Sequence, residues 1–337
     1  MKKVLVLGGT GAMGRYTVPA LASLGYRVDV VAKDTIDFGL SGVNSYVGDC
    51  MDRSYLSELL KNGYDGIIDY MIYKTPQFAE RFTNLLECTD HYIFLSTYRV
   101  YDGACPVRED SPLLLNTSCD REYLKTEDYS LFKARCENIL GASKYKNYTI
   151  VRPSITYSTF RYQLTTLEAK HIMPRTALGK RIALPEEARN VAGTMTWAGD
   201  SAKMFAGLLF NERALTESYT LSTAEHHTWG EIAEYYTDII DSRFEWVDTD
   251  TYLKCISQPD VRQGARYQLI YDRLFERVID NSKILRDAGL TDHALTGLYD
   301  GLKRELSSID ISLVDWQESV YARDRMDAYF RGESLDD

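Results

Sequence analysis

Residues 3–25 read KVLVLGGTGAMGRYTVPALASLG, and the change of rhythm at Gly8 decides the fold. A short, mostly apolar run that stops at a glycine is a buried strand; the apolar positions after the turn recur at helical spacing until Gly25 ends them. Gly8, Gly11 and Gly14 fall in that turn. Without a Cβ the backbone can bend sharply and approach a pyrophosphate, whose charge is favoured by exposed N–H groups at the helix start. Thr10, Ala12 and Met13 of the same loop are expected to touch the cofactor. An ATP-type phosphate loop is excluded. Gly9 and Gly14 have its separation, but the lysine and hydroxyl residue it needs next are Arg15 and Tyr16.

Working outward, short apolar runs alternate with helical patterns through the first half. YRVDVVAK is a strand, and DRSYLSELLKNG is a helix capped by Asp52 and stopped by Gly63. DGIIDYMI, HYIFLST and YTIVRPS supply three more strands. Near-continuous apolar strands separated by helices indicate a parallel sheet covered on both faces, a doubly wound, Rossmann-like α/β domain. Beyond Ser154 the pattern becomes a smaller mixed α/β lobe. It contains the helix DSAKMFAGLLFN, expected to be capped by Asp200, the strand SYTLST, and a helix opened by Thr228 with Glu231 at capping-box spacing. The expected division is a dinucleotide-binding domain over 1–155 and a mainly substrate-binding lobe over 156–337, with segments near 190–222 returning to the first domain.

Composition narrows the function. A chain of 337 residues, 45% hydrophobic, can bury a sizeable core. A net charge of −10 argues against nucleic acid as a partner, since phosphate binding relies on basic patches. The six cysteines show no Cys-x-x-Cys spacing and no zinc pattern with the five histidines, so reduced thiols and no metal are expected. No stretch approaches the roughly 20 apolar residues of a membrane span, and the N-terminal apolar run is short of a signal peptide's. A soluble, cytoplasmic protein is expected.

The second strand ends VVAKD, where an NAD-binding strand often carries an acid for the adenosine ribose. Lys33 there suits the extra phosphate of NADP; a solvated strand-end lysine gives the same sequence, and Asp34 still reaches a ribose. The choice between NAD and NADP stays open. In VGDCMD, Asp49 follows the third strand, placed to accept from an adenine amino group or to shape the turn, with Cys50 beside it.

Tyr129 and Lys133 lie one helical turn apart in EDYSLFKARCENIL. With 25 tyrosines and 15 lysines, about one Tyr-x-x-x-Lys match arises by chance, and Tyr70 with Lys74 is another. Tyr129, Phe132, Lys133, Cys136 and Leu140 form one buried stripe, so Lys133 lies on the apolar side of its helix, an unusual place for a lysine without a task or a partner. A cation one turn from a phenol favours the phenolate and lowers its pKa toward a working range, as a proton-transfer group requires.

GGTGAMG, GDCMD, LSTYRVY, Tyr129 with Lys133, VRPS, TWAGDSA and DNSKILRDAGL resemble, in order and spacing, the extended short-chain dehydrogenase/reductases, especially the nucleotide-sugar epimerase and dehydratase branch. The resemblance runs from Met1 to about Leu302. It implies NAD(P) as cofactor, a nucleotide sugar as small-molecule substrate, Thr97 as the hydroxyl that holds the substrate oxygen, and Tyr129 as base. It further implies Lys133 on the nicotinamide ribose, Pro153 and Ser154 near the nicotinamide, and a homodimer built on the Tyr129 helix, whose other face offers Leu131 and Ile139. Three departures matter. Tyr98 and Arg99 follow Thr97 where dehydratases carry an Asp-Glu pair, and Arg99 cannot accept a proton, which speaks against dehydration. Ile155 stands where an Asn near the diphosphate is common, and Asp69, Tyr70 and Met71 replace a His-containing strand end. An epimerase working through a transient keto intermediate is the expected activity. The alternatives are a carbonyl or keto-sugar reductase and a non-catalytic dinucleotide-binding regulator.

Overall fold

The computed structural model describes residues 1–335. The first half follows the alternation of the sequence: β1 (Lys3–Leu7), α1 (Gly14–Ser23), β2 (Arg27–Ala32), β3 (Val43–Val47), α2 (Arg53–Leu60), β4 (Gly66–Asp69), β5 (His91–Leu95), α3 (Tyr129–Ala142) and β6 (Tyr148–Val151). The second half contributes β7 (Ile155–Tyr157), β8 (Arg181–Pro185), β9 (Met195–Trp197), α4 (Ala198–Leu208), β10 (Ser218–Tyr219), α5 (Trp229–Ile240) and β11 (Arg243–Val247). The central sheet has seven strands in the order β10-β6-β5-β4-β1-β2-β3. Every neighbouring pair is parallel. The order reverses between β1 and β4, the switch point at which α/β sheets open a crevice at the carboxyl ends of their strands.

Alternation along β1 explains why the sheet is covered twice. Val4 and Val6 enter a core with Val18, Leu21, Met204 and Phe205, whereas Leu5 and Leu7 enter another with Leu56, Leu60, Cys136 and Leu140. All four β1 residues are fully buried, each contributing roughly 1.5–3 kcal/mol on burial. Helices α1 and α4 thus cover one face, α2 and α3 the other. The strand Ser218–Tyr219 comes from the second half of the chain and pairs with β6 at Ile150 and Val151. Smaller parallel pairs join β8 to β11 and β7 to β9.

The expected helix ends are present with one exception. Asp52 accepts from the amides of Ser54 at 2.8 Å and Tyr55 at 3.2 Å. Thr228 and Glu231 form the reciprocal capping box, and Gly25 and Gly63 take positive φ. Asp200, however, does not cap its helix. α4 begins at Ala198 with Trp197 in the cap position, because β9 runs directly into it. Asp200 lies inside the first turn and is buried, accepting from the Thr296 amide at 2.6 Å and Lys203 Nζ at 2.7 Å.

Candidate active site

The glycines of the first turn divide into two kinds. A Cβ on Gly14 would lie 2.3 Å from the Gly9 carbonyl oxygen, and one on Gly9 2.7 Å from Val30 Cγ1, so these two let the turn and strand pack. Gly8 has φ +73°, and its N–H donates to Val31 at 2.8 Å. Gly11 is exposed; a Cβ there meets only the Gly8 oxygen, at 3.4 Å. The amides of Ala12 and Met13 donate to no acceptor among the described residues. An open, Cβ-free approach beside free helix-entry amides fits a pyrophosphate. Thr10 Oγ1 donates to Asp34 at 2.6 Å, and Arg15 Nε to the Thr10 carbonyl at 2.9 Å, bracing the loop against the end of β2.

At the adenosine end, Lys33 Nζ lies 3.0 Å from Asp49, both exposed. The other Asp49 oxygen accepts from the Met51 amide at 2.9 Å, and that bond, ahead of Lys33, holds its carboxyl below the usual range. The turn-shaping role of Asp49 is therefore filled. Cys50 is buried in the cluster with Leu7 and Leu56, and burial pushes its thiol up to about 12, so it offers no accessible side chain to a cofactor.

A cleft of about 330 Å³ opens at the strand ends, and it brings together Met13, Thr97, Tyr129, Pro153 and Ser154. Thr97 follows β5 and accepts the Arg99 N–H at 3.2 Å, which leaves its own O–H free to donate. Tyr129 is the first residue of α3; Asp128 caps that helix on the Ser130 amide at 3.0 Å. The Tyr129 ring is half-buried and meets Phe132 edge-on, centroids 5.3 Å apart. Ser154 Oγ shares a hydrogen bond with Thr196 at 2.8 Å.

Lys133 is fully buried, on the face of α3 that also buries Phe132, Cys136 and Leu140. Its Nζ donates to the Leu95 carbonyl at 2.6 Å and to that of Met71 at 3.4 Å, and lies 5.9 Å from the Tyr129 ring centroid. Burial depresses its pKa to about 8, opposed chiefly by Asp69. The expectation that Lys133 lowers the Tyr129 pKa needs correction. Burial raises Tyr129 above the ordinary value for a phenol, and the cations that oppose the rise are Arg99 and Arg161. Arg99 places its guanidinium carbon 5.4 Å from the ring centroid. A lysine that spends its protons on two carbonyls beneath the helix acts on the strand ends more than on the phenol.

Asp69, at the remodelled end of β4, is buried and accepts from Tyr92 at 2.8 Å, Tyr73 at 3.3 Å and the Met71 amide at 2.9 Å. Burial pushes its carboxyl up, against these bonds and Lys133.

The rival pair is structural. Tyr70 donates to Thr17 Oγ1 at 2.7 Å and packs edge-on against Phe205, whereas Lys74 is exposed at the start of a short helix. Tyr299 and Lys303 make a further match, on an outer helix where Tyr299 donates to Asp238. Leu131, expected on an open dimer face, is fully buried among Leu114, Tyr123 and Tyr267, because the segment before α3 folds over it.

Sequence reasoning missed the cations and amides opposite Tyr129. Arg161, Gln163, Glu168, Gln268 and Arg273 line the same cleft, yet they come from distant segments of the second half, and no spacing rule joins them. Arg99 was visible only as the residue replacing a dehydratase acid.

The model of the NAD dependent epimerase/dehydratase family matches residues 4–184. No curated protein matches the chain. Among solved structures, an epimerase from Methanothermobacter thermautotrophicus superposes with a TM-score of 0.68 at 14% identity, covering 91% of each chain. The UDP-glucose 4-epimerase of Thermus thermophilus, solved with NAD, gives 0.65 at 18% identity over 90% of this chain and 98% of its own. The dTDP-glucose 4,6-dehydratase of Bacillus anthracis, also with NAD, gives 0.65 at 15% identity over 91% and 96%. At these identities the likeness is one of fold.

Proposed function

Because the chain belongs to the NAD-dependent epimerase/dehydratase family, we propose that it inverts a secondary alcohol carbon of a nucleotide-linked sugar, with Tyr129 as the proton acceptor and donor. The observation that carries this reading is the meeting of Thr97 and Tyr129 in one cleft with Met13 of the glycine loop and with Pro153 and Ser154. When bound along Gly8–Gly14, the dinucleotide supplies a reversible two-electron acceptor beside the reacting carbon. Thr97 donates its free hydroxyl proton to the substrate oxygen and fixes it within reach of Tyr129. Tyr129 takes the hydroxyl proton as the carbon is oxidised and returns it as the carbon is reduced on the opposite face. Arg99 and Arg161 favour the phenolate that the first step needs. Lys133, tied to the Leu95 carbonyl two residues before Thr97, holds the strand end that presents the hydroxyl.

Elimination of water is disfavoured because the positions after Thr97 are Tyr98 and Arg99, and a guanidinium cannot accept a proton. A dimer formed through α3 would use its last turns, where Ile139 remains half-buried, since Leu131 is covered.

The test is Tyr129→Phe with Tyr70→Phe as control, assayed on a panel of nucleotide sugars. Tyr129→Phe should lower turnover by roughly 10² to 10⁴, while Tyr70→Phe leaves turnover unchanged and costs about 0.5–1.5 kcal/mol of stability through the lost Thr17 bond. Near-normal turnover in Tyr129→Phe would remove the proposed base. Product with inverted configuration and no net change in NAD absorbance is expected; stoichiometric NADH would make the enzyme a reductase or dehydrogenase instead.

A further inference from the structure

The wall of the cleft opposite Tyr129 carries more positive charge than the protein itself balances. Arg99, Arg161 and Arg273 line it, against the single carboxylate of Glu168, which already accepts from Gln163. Behind them the fully buried Asp272 is shared by three guanidiniums: it pairs with Arg273, lies 3.2 Å from Arg277 Nε and 3.6 Å from Arg99 Nε. Arg277 is buried and committed to the Tyr101 and Asp102 carbonyls. Arg99 is different. Its contacts with Asp272 and with Asp128, at 3.5 Å, both exceed hydrogen-bonding range, and its buried Nε has no hydrogen-bond partner. The Arg161 side chain makes no ion pair or hydrogen bond with any described residue.

Guanidinium groups present planar forks of donors that match a carboxylate or a phosphate, and buried donors without partners are rare in folded proteins. A cleft that places two under-used forks beside the reacting carbon is built to receive an anion. Burial lowers the pKa of Arg273 and takes Arg277 to about 10, and the Arg99 charge adds to both shifts.

We propose that Arg99 and Arg161 form a carboxylate subsite, and that the substrate is an acidic sugar bearing its carboxylate close to the carbon held by Thr97 and Tyr129. The proposal rests on the reading of this cleft as the site of sugar oxidation and names the class of sugar it takes. A ring carboxylate is favoured over the diphosphate of a nucleotide sugar because Arg99 stands against the Tyr129 ring itself and two residues from Thr97, so the anion it meets must lie next to the reacting carbon. A neutral hexose would bring neither fork an anionic acceptor, which makes the site selective as well as receptive.

Binding to the NAD-loaded protein tests this without relying on turnover. Glucuronic acid and glucose are compared by calorimetry, each as its UDP conjugate and as the free sugar, so that the nucleotide cancels within each pair. The acid should bind at least about tenfold more tightly than its neutral partner. Arg161→Gln, which breaks no side-chain hydrogen bond or ion pair with a described residue, should weaken binding of the acid much more than of the neutral sugar and so remove most of that difference; Arg161→Lys should keep part of it, and Arg99→Gln should act in the same direction. Equal affinity within the pairs, or a preference that survives both Gln variants, overturns the subsite. Equal losses for UDP-glucuronic acid and UDP-glucose in the variants would assign the arginines to the diphosphate and also overturn it. A carboxylate preference abolished by Arg161→Gln in a protein that converts none of these sugars would support the subsite and defeat the epimerase reading alone.

Discussion

Lys133 donates to the carbonyl of Leu95 across 2.6 Å, and through that bond the one buried lysine of α3 is fastened to the strand that ends in Ser96 and Thr97. The ammonium also faces the buried Asp69, whose carboxyl it helps to keep ionised. Lys133→Met should therefore destabilise the fold by about 1–3 kcal/mol at neutral pH, since a buried carbonyl loses its donor and Asp69 its nearby cation. In the native protein Lys133 titrates near 8, below its ordinary 10.5, so between these values the unfolded chain binds more protons and this group's contribution to stability rises with pH. Below about 8 the cost of the buried charge is fully present. Without the ammonium, Asp69 rises further, which lowers the variant's stability as pH increases. Urea titrations of both proteins should show the gap widening from about pH 8 to 10; a constant or shrinking gap would mean that Lys133 is not the depressed group.

The parallel sheet was legible because its signal is local: an apolar run, a glycine and a helical stripe can each be recognised within a dozen residues. The helix bearing Tyr129 and Lys133 was legible for the same reason, and the burial of Lys133 follows from its place between Phe132 and Cys136 on the apolar stripe. What lay beyond the sequence was the partner of each charge. Lys133 turned to the Leu95 and Met71 carbonyls, which only the packing of α3 on β4 and β5 brings near. Asp200 failed as a cap because the helix starts two residues earlier, straight from β9, and its carboxylate instead meets the Thr296 amide, 96 positions away. Leu131 looked open by helical phase and was closed by Tyr123 and Tyr267 from outside the helix. The arginines facing Tyr129 come from three separate segments, so their convergence has no periodicity to betray it.

The two kinds of glycine in the first turn should respond differently to the same small change. Gly14→Ala forces a Cβ to within 2.3 Å of a backbone oxygen, which cannot yield as a flexible side chain would, so the melting temperature should fall and NAD binding with it. Gly11→Ala meets nothing closer than 3.4 Å in the protein and should melt with the wild type. Its methyl would nonetheless stand where the pyrophosphate approaches, so NAD affinity should drop by about tenfold or more, and Gly11→Val should lose binding altogether. Fluorescence titration with NAD beside a thermal melt separates the cases. Normal NAD affinity in a folded Gly11→Val protein would move the cofactor away from this loop.

Two kinds of cation lie near Tyr129, the proposed base: the arginines of the cleft and Lys133. Helical spacing alone points to Lys133, but the groups that oppose the burial-driven rise of Tyr129 are Arg99 and Arg161. Removing either arginine takes away positive charge that favours the phenolate, so the Tyr129 pKa moves further up and less phenolate is present at a given pH. The profile of kcat/KM against pH should therefore shift toward alkaline values in Arg99→Gln and in Arg161→Gln, whatever happens to its height through weakened binding. The shape of the profile reports the titration of the base, whereas a loss of substrate affinity scales the whole curve. Lys133→Met should lower the curve, because the Thr97 strand end loses its tether, with a smaller displacement along the pH axis. An alkaline shift in Lys133→Met together with unmoved profiles in both arginine variants would return control of Tyr129 to the lysine.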